Sequence, residues 1–283
     1  MNHKLLRIFL DIFLLLLAVQ VCMPVALTVF ASLKSDWELT DSLLPILYQT
    51  EEKVHWRLLP AYPTMKNYVH LIFYTPQFFT VFWNSVKMTA LILLGQAAVA
   101  VPAGWAFARF SFPGKKILLL LYTVLMLMPF QITMLPSYLI MNRLGLMNTQ
   151  ASVIIPAVFS TFPVFITYRG FLAIPVEVLE AARVDGAGEL TIFLHIGIPL
   201  GMSGILSAFV LGFLEYWNMM EQPLAFIRDK SLWPMSLYLP EIGGNLAGSA
   251  LAAAVVILIP AWFVFLLGRD YLEQGIAVSG MKE

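Results

Sequence analysis

Charge is scarce in this chain. Of its 283 residues, 12% are Asp, Glu, Lys or Arg and 60% are hydrophobic, where a soluble domain has about a quarter charged and about half apolar. The 17 basic residues are balanced by 17 acidic ones, which removes any electrostatic ground for binding nucleic acid. Cysteine is almost absent. The single one, Cys22, lies inside an apolar run, so neither a disulfide framework nor a thiolate metal cluster can be built. A phosphate-cradling loop is missing too. The Gly114-Lys115 pair comes nearest to G-x-x-x-x-G-K-[ST], but Arg109 stands where the upstream glycine is needed and Lys116 where the hydroxyl is needed. The chain is therefore expected to hydrolyse no ATP and to hold no cofactor of its own.

What is present is long apolar runs. Uncharged segments cover 12–33, 88–108, 117–142, 144–168, 190–214 and 242–268. Each reaches the roughly 20 residues that cross a bilayer core as helix. Lipid offers backbone groups no hydrogen bonds, so helices that satisfy themselves are the natural solution. The reading is an all-α polytopic membrane protein with six transmembrane helices. The first run follows Lys4 and Arg7 as a signal peptide would, but it is long and no A-x-A site follows, so it reads as a retained helix. Residues 67–86 are also uncharged, yet Asn67, His70, Pro76 and Asn84 suit an interfacial segment leading into the second span. The fourth span is expected to start near Ala151.

Lys and Arg then orient the chain. With both termini inside, nine basic residues fall in inner segments and seven in outer ones. The loop "RFSFPGKK" has three positives and no acid, while the next has only Arg143. Both termini, and the stretch 180–190, are thereby expected on the cytoplasmic side. The organisation reads as an N-terminal helix over 1–34, an extracytoplasmic segment over 35–78, a transmembrane core over 79–270 and a cytoplasmic tail over 271–283.

The stretch "EAARVDGAGEL" does not suit a plain connection between spans. Pro175 fits a helix start. Residues 176–183 are good helix formers with Glu177 near the positive end. Glu180 and Arg183 have i,i+3 spacing for an ion pair. Asp185-Gly186 is a stop or turn signal in which glycine accepts positive φ. Helix resumes at 190–196, and Pro199 lies at the start of the fifth span. Ala181, Ala182, Gly186, Ala187 and Gly188 leave a thin surface that another backbone can approach. The result is a helix-turn-helix docking element over 174–199; an ordinary interfacial loop is the plainer alternative.

Here the sequence resembles a known family. Glu180-Ala181-Ala182, Asp185-Gly186-Ala187, Phe193 and Pro199 resemble the EAA loop of bacterial ABC importer permeases. The nearest subgroup is the carbohydrate-uptake permeases like the smaller maltose permease subunit. "NSVKMT" at 84–89, "AFARFSFPGKK" at 106–116, "LGLMNT" at 144–149, "EYWNMMEQPLAFI" at 215–227 and the tail "GIAVSGMKE" follow in the family's order. The resemblance implies a type I ABC importer permease fold with cytoplasmic EAA coupling helices in a bacterial inner membrane. It implies a second related permease, two ATPase subunits that hold ATP and Mg, and an extracytoplasmic substrate-binding protein. It implies that Glu180 meets a basic residue of the ATPase, that Gly186 makes the turn, and that the tail reaches between the ATPase subunits. The implied cargo is a sugar or oligosaccharide.

Other residues carry weaker expectations. Polar groups inside spans are costly, so Gln96, Gln131 and Asn218, with Trp217 beside it, are candidates for the translocation path; helix–helix hydrogen bonding is the alternative. Trp233, Pro234 and Tyr238 in the outer segment 221–245 are candidate binding-protein contacts. His195, Ser160 and Ser203 lack the partners that catalysis needs. An ion-coupled secondary transporter is the other functional class, but Asp11, Glu215 and Asp270 fall at span ends and form no relay.

Overall fold

The computed structural model describes residues 3–47, 57–238 and 247–280, with side chains over 7–42, 57–238 and 247–273. Every regular element among them is helical. The chain divides into two compact units, 1–79 with 239–259 and 80–238 with 260–283.

The first unit contains α1 (His3–Ser32), α2 (Asp36–Leu47) and α3 (Lys66–Tyr74). α1 is apolar on all sides, with a mean hydropathy of 2.5 over 7–32, and none of its apolar window is buried in the protein. A helix of this kind takes lipid as its solvent. Polar contacts close the unit. Lys34 and Asn67 are buried; Lys34 Nζ donates to Arg57 O at 2.6 Å, and Asn67 Nδ2 donates to Ser32 O at 3.0 Å and Lys34 O at 2.9 Å. Buried Glu38 accepts from the Ala61 amide at 2.7 Å and from the Ser35 amide at 3.3 Å.

α4 (Pro76–Arg109) begins earlier than the span read from sequence, because Pro76 starts the helix and α3 ends just before it. Proline is pre-shaped for a first turn. The interfacial segment 67–86 is therefore α3 followed by the outer turns of α4. The second unit continues with α5 (Lys115–Leu127), α6 (Phe130–Arg143), α7 (Ala151–Val158), α8 (Thr161–Leu172), α9 (Val176–Val184) and α10 (Glu189–Ile192). A π turn (Phe193–Gly197) leads to α11 (Ile198–Leu200), α12 (Met202–Trp217) and α13 (Glu221–Phe226), and α14 (Ala247–Gly280) closes the chain.

Four helical stretches, 7–32, 76–109, 151–172 and 247–273, are long and apolar enough to cross a bilayer. Two more candidates are bent: α5 with α6 by 105°, and α10–α11 with α12 by 68°. Counting each bent pair as one span gives six. Pro129 caps α6 in an extended conformation. A proline cannot continue the α5 ladder and disfavours helix in the residue before it, so the third run breaks in its middle. The fourth run is interrupted at Phe159–Ser160, where Ser160 is extended ahead of α8. The tail expected over 271–283 is helical as far as Gly280; its last three residues lie outside the described residues.

Candidate functional site

The docking element folds as a helix, a tight turn and a second short helix. α9 ends in a complete C-terminal capping motif: Ala187 N–H donates to Ala182 O and Gly186 N–H to Arg183 O, both at 3.0 Å. These are the 6→1 and 5→2 bonds of a Schellman turn, which needs its C′ residue in the left-handed region. Gly186 has φ +81°. Pro175 is the cap before α9, one residue outside the helix.

The expected Glu180–Arg183 pair is not the one that forms. Arg183 Nε lies 2.8 Å from Glu189 Oε1, because the turn brings the start of α10 back alongside the end of α9. The hydrogen bond that Arg183 donates to Glu189 and the charge of that carboxylate, with a smaller contribution from Glu180, hold the Arg183 guanidinium above its usual value. Both groups are exposed, so this pair contributes little stability. Its effect is to leave the Glu180 carboxylate on the outer face without a hydrogen bond among the described residues.

The thin surface divides into two sides. Ala181, Asp185, Gly186 and Gly188 are exposed with Glu180. Ala182 and Ala187 are half-buried against the protein's own core, so their small size serves the seat of the element. That seat is Val101, Trp105, Phe171, Ile174, Leu179, Ile192 and Ile205, all buried. Trp105 is its centre. Its ring meets Phe171 edge-on at 5.2 Å and Phe193 at 5.6 Å, geometries that aromatic quadrupoles favour. Gly197 makes room for it, since a Cβ there would lie 2.7 Å from the indole. At the tip of the element, Val184 is 87% exposed and Leu190 70%.

Arg109 ties the element to α4. Its Nη2 donates to Ile174 O at 2.7 Å and to Phe171 O, and its guanidinium lies 5.7 Å from the Trp105 ring centre. It thus satisfies carbonyls where α8 ends and the coupling element begins. From sequence Arg109 counts only as an inner positive charge. No local signal shows that it reaches carbonyls more than sixty residues away.

Residues 100–278 match the family of binding-protein-dependent transport system inner membrane components. The chain belongs to that family. The permease is 28% identical over 262 residues to AraQ of Halalkalibacterium halodurans, an arabinooligosaccharides transport system permease protein, covering 92% of this chain and 90% of the relative. It is 34% identical over 214 residues to LacG of Rhizobium radiobacter, a lactose transport system permease protein, covering 70% of this chain and 74% of the relative. Its fold is similar to that of a bacterial ABC transporter that imports the acidic polysaccharide alginate, with a TM-score of 0.77 at 20% identity over 95% of this chain and 96% of the other. The family is one of membrane permease subunits, and nothing in the comparisons supports an ion-coupled transporter.

The candidate path residues of this permease have the following surroundings in the structure. Gln96 is buried and donates to Ala157 O at 2.8 Å and Tyr216 Oη at 2.9 Å, joining α4 to α7 and α12. Trp217 is buried, stacked on Phe213 at 5.5 Å and edge-on to Phe82 at 6.1 Å. Asn218 donates back to Leu214 O at 2.8 Å, and Gln131 donates to both Glu221 oxygens at 3.0 Å. None of the four lines the cavity of about 440 Å³ in this unit.

Among the outer residues, Pro234 is buried, and Trp233 and Tyr238 are half-buried. The Trp233 indole N–H donates to Ile227 O at 2.9 Å, and its ring packs beside Met88, Val153 and Ile227. Asn84 donates to Ser231 O at 2.7 Å and Trp233 O at 3.0 Å, and Asn148 Oδ1 accepts the Arg228 and Asp229 amides at 2.8 Å. The loop 227–238 is thus tied down by hydrogen bonds and packing. Residues 239–245 of the segment lie outside the described residues.

Proposed function

We propose that this permease moves a sugar or oligosaccharide across a bacterial inner membrane and is driven by ATPase subunits through the turn at Gly186. The observation that carries the reading is one rigid element with two faces. Its inner face is locked onto the ends of α4, α8 and α12 by Trp105, Leu179 and Ile192. Its outer face presents Glu180, Asp185, Val184 and Leu190 with no protein covering them. An exposed apolar tip ringed by acids is built to be covered by a partner of opposite charge.

The assembly that follows contains a second related permease, two ATPase subunits holding ATP and Mg, and an extracytoplasmic binding protein. Both termini of the permease and the 174–199 element are cytoplasmic. Trp233, Pro234 and Tyr238 belong to the platform offered to the binding protein. Support for a glycan cargo comes from relatives that carry arabinooligosaccharides and lactose. Closure of the ATPase pair moves the outer face, and the seat passes that motion to the membrane helices.

Co-purification from the native membrane tests the reading, followed by reconstitution in proteoliposomes. The expected result is an ATPase bound through the 174–199 element, hydrolysis stimulated by the binding protein, and no hydrolysis by the isolated permease. Specific ATP hydrolysis by the permease alone, or uptake without an ATPase, overturns it.

A further inference from the structure

The second unit holds a cavity of about 440 Å³ whose lining includes Phe130, Ser137, Phe159, Ser160, Glu215 and Gln222. This volume falls in the range of small-molecule sites. Two helix breaks open on it. Phe130 follows the Pro129 break between α5 and α6, and Phe159 and Ser160 form the break between α7 and α8. Interrupted helices inside a membrane protein expose backbone groups that need partners, and they are tolerated where they line a cavity.

Glu215 is the odd member of this lining. It sits in the last turn of α12, inside a candidate span, and is exposed. Among the described residues its carboxylate has no hydrogen bond and no ion pair. A carboxylate at the end of a span that lines a cavity is a candidate functional position. Its neighbour Tyr216, also in the lining, is buried and its hydroxyl is held by Gln96.

The chemistry around the cavity is two-sided. The Glu215 carboxylate accepts hydrogen bonds. Across the lining, Ser160 caps α8, a helix of 12 residues whose first amides have no intrahelical acceptor, and no side chain caps them. Phe130 and Phe159 add apolar rings. A solute that fits must donate to a carboxylate, accept from amides and lie against aromatic faces. Polyhydroxylated carbons do all three. The helix end carries about half a positive charge, less than the full negative charge of Glu215, so the cavity as a whole favours neutral or cationic solutes over anions.

We infer that this cavity is a solute-binding subsite in this subunit, in which Glu215 accepts hydrogen bonds from the hydroxyls of a neutral polyhydroxylated solute and repels anionic ones. The inference rests on the transport reading above but does not use the coupling element. The test uses the complete transporter in proteoliposomes, with Cys22→Ser and a reporter thiol at Ser137→Cys. A cationic methanethiosulfonate should label the reporter faster than an anionic one by about tenfold or more, relative to a free thiol, because a charged cleft concentrates counter-ions. Glu215→Gln should abolish that preference. Neutral glycans such as lactose and arabinotriose should slow the labelling, and a galacturonate trisaccharide should not. An unreactive thiol, charge-independent labelling, loss of the second permease from Glu215→Gln preparations, or no protection by any neutral glycan overturns the subsite. The first three outcomes assign Glu215 to a contact between subunits. ATP-driven coupling is not read in this assay, so its failure is separate from failure of the transport reading.

Discussion

Gly170 of α8 and Gly204 of α12 meet backbone to backbone. A Cβ on Gly170 would lie 2.9 Å from Gly204 Cα, and one on Gly204 would lie 2.7 Å from Gly170 Cα. Small residues at a helix crossing let dispersion forces act between the backbones themselves. Gly204→Leu is expected to force the helices apart and destabilise the permease by about 1–3 kcal/mol, the usual range for overpacking. The midpoint of thermal unfolding in detergent should fall, and Gly204→Ala should lower it less. An unchanged midpoint for the leucine variant would mean that the helices do not cross there.

Gly186→Val should damage the coupling turn without touching a neighbour. A Cβ there meets nothing within 4 Å, so any effect comes from the φ of +81°. Leaving that conformation to a β-branched residue costs about 1–2 kcal/mol. Reshaping the turn to escape the cost moves Val184 and Asp185. The ATPase retained on purification should drop, by about tenfold for each 1.4 kcal/mol lost at the contact. Gly186→Asn, which accepts the left-handed region, should retain most of it.

Glu180→Lys should uncouple by charge. The carboxylate lies on the outer face, while Arg183 is already engaged by Glu189. Reversal places a cation against the basic partner group expected there, and hydrolysis stimulated by the binding protein should collapse. An acidic substitution in the ATPase should restore part of it. Full uptake by the lysine variant would show that this face is not the contact.

Arg109→Ala should leave the carbonyls of Phe171 and Ile174 without their donor. Removing a charged hydrogen-bond partner from acceptors on buried residues costs about 1–3 kcal/mol each. Faster protease cleavage within 172–176 of the reconstituted transporter, with the spans still inserted, is the expected readout. Arg109→Lys should rescue only in part, since one ammonium cannot reproduce the planar fork.

Glu38 predicts a pH dependence for the first unit. Burial pushes its carboxyl up, but the amides of Ala61, Ser35 and Tyr62 and the Ser35 hydroxyl outweigh burial and bring it below the usual 4.5. A group whose value is lower in the folded state contributes stability that is fully present above the unfolded value and lost as pH falls through the folded one. Thermal stability should therefore be flat above about pH 5 and decline below the ordinary glutamate range. Glu38→Gln should be less stable at neutral pH and lose less on acidification. Parallel curves for the two proteins would remove Glu38 as the cause.

The parts legible in the sequence are those in which a local signal has one physical outcome. Scarce charge can only mean spans, and Asp185-Gly186 can only end a helix. Pro129 is visible as a break, but the 105° bend is decided by what α5 and α6 pack against. Gln96 shows why the path was harder to read. An amide inside a span looks the same whether it faces a solute or a neighbouring carbonyl, and the approach of Ala157 O and Tyr216 Oη to Gln96 is invisible in the sequence. The Glu180–Arg183 spacing failed for a related reason: it assumes one continuous helix face, while the turn supplies Glu189 as a nearer partner. Arg109 and Glu215 lie inside the stretches 106–116 and 215–227, but neither stretch shows what its charged side chain reaches, and each acquires its surroundings from residues far along the chain.

The packing around Trp105 sets how far a push can travel. Close-packed interiors compress little, so under the proposed mechanism a displacement of the 174–199 element would be passed through this seat to the Leu172 end of α8. α8 has 12 residues and is about 18 Å long at 1.5 Å per residue. A tilt of about 10° about that end would carry the Ser160 break sideways by roughly 3 Å. That stroke is close to the diameter of one water molecule, which is enough to admit or expel a hydration layer at a constriction.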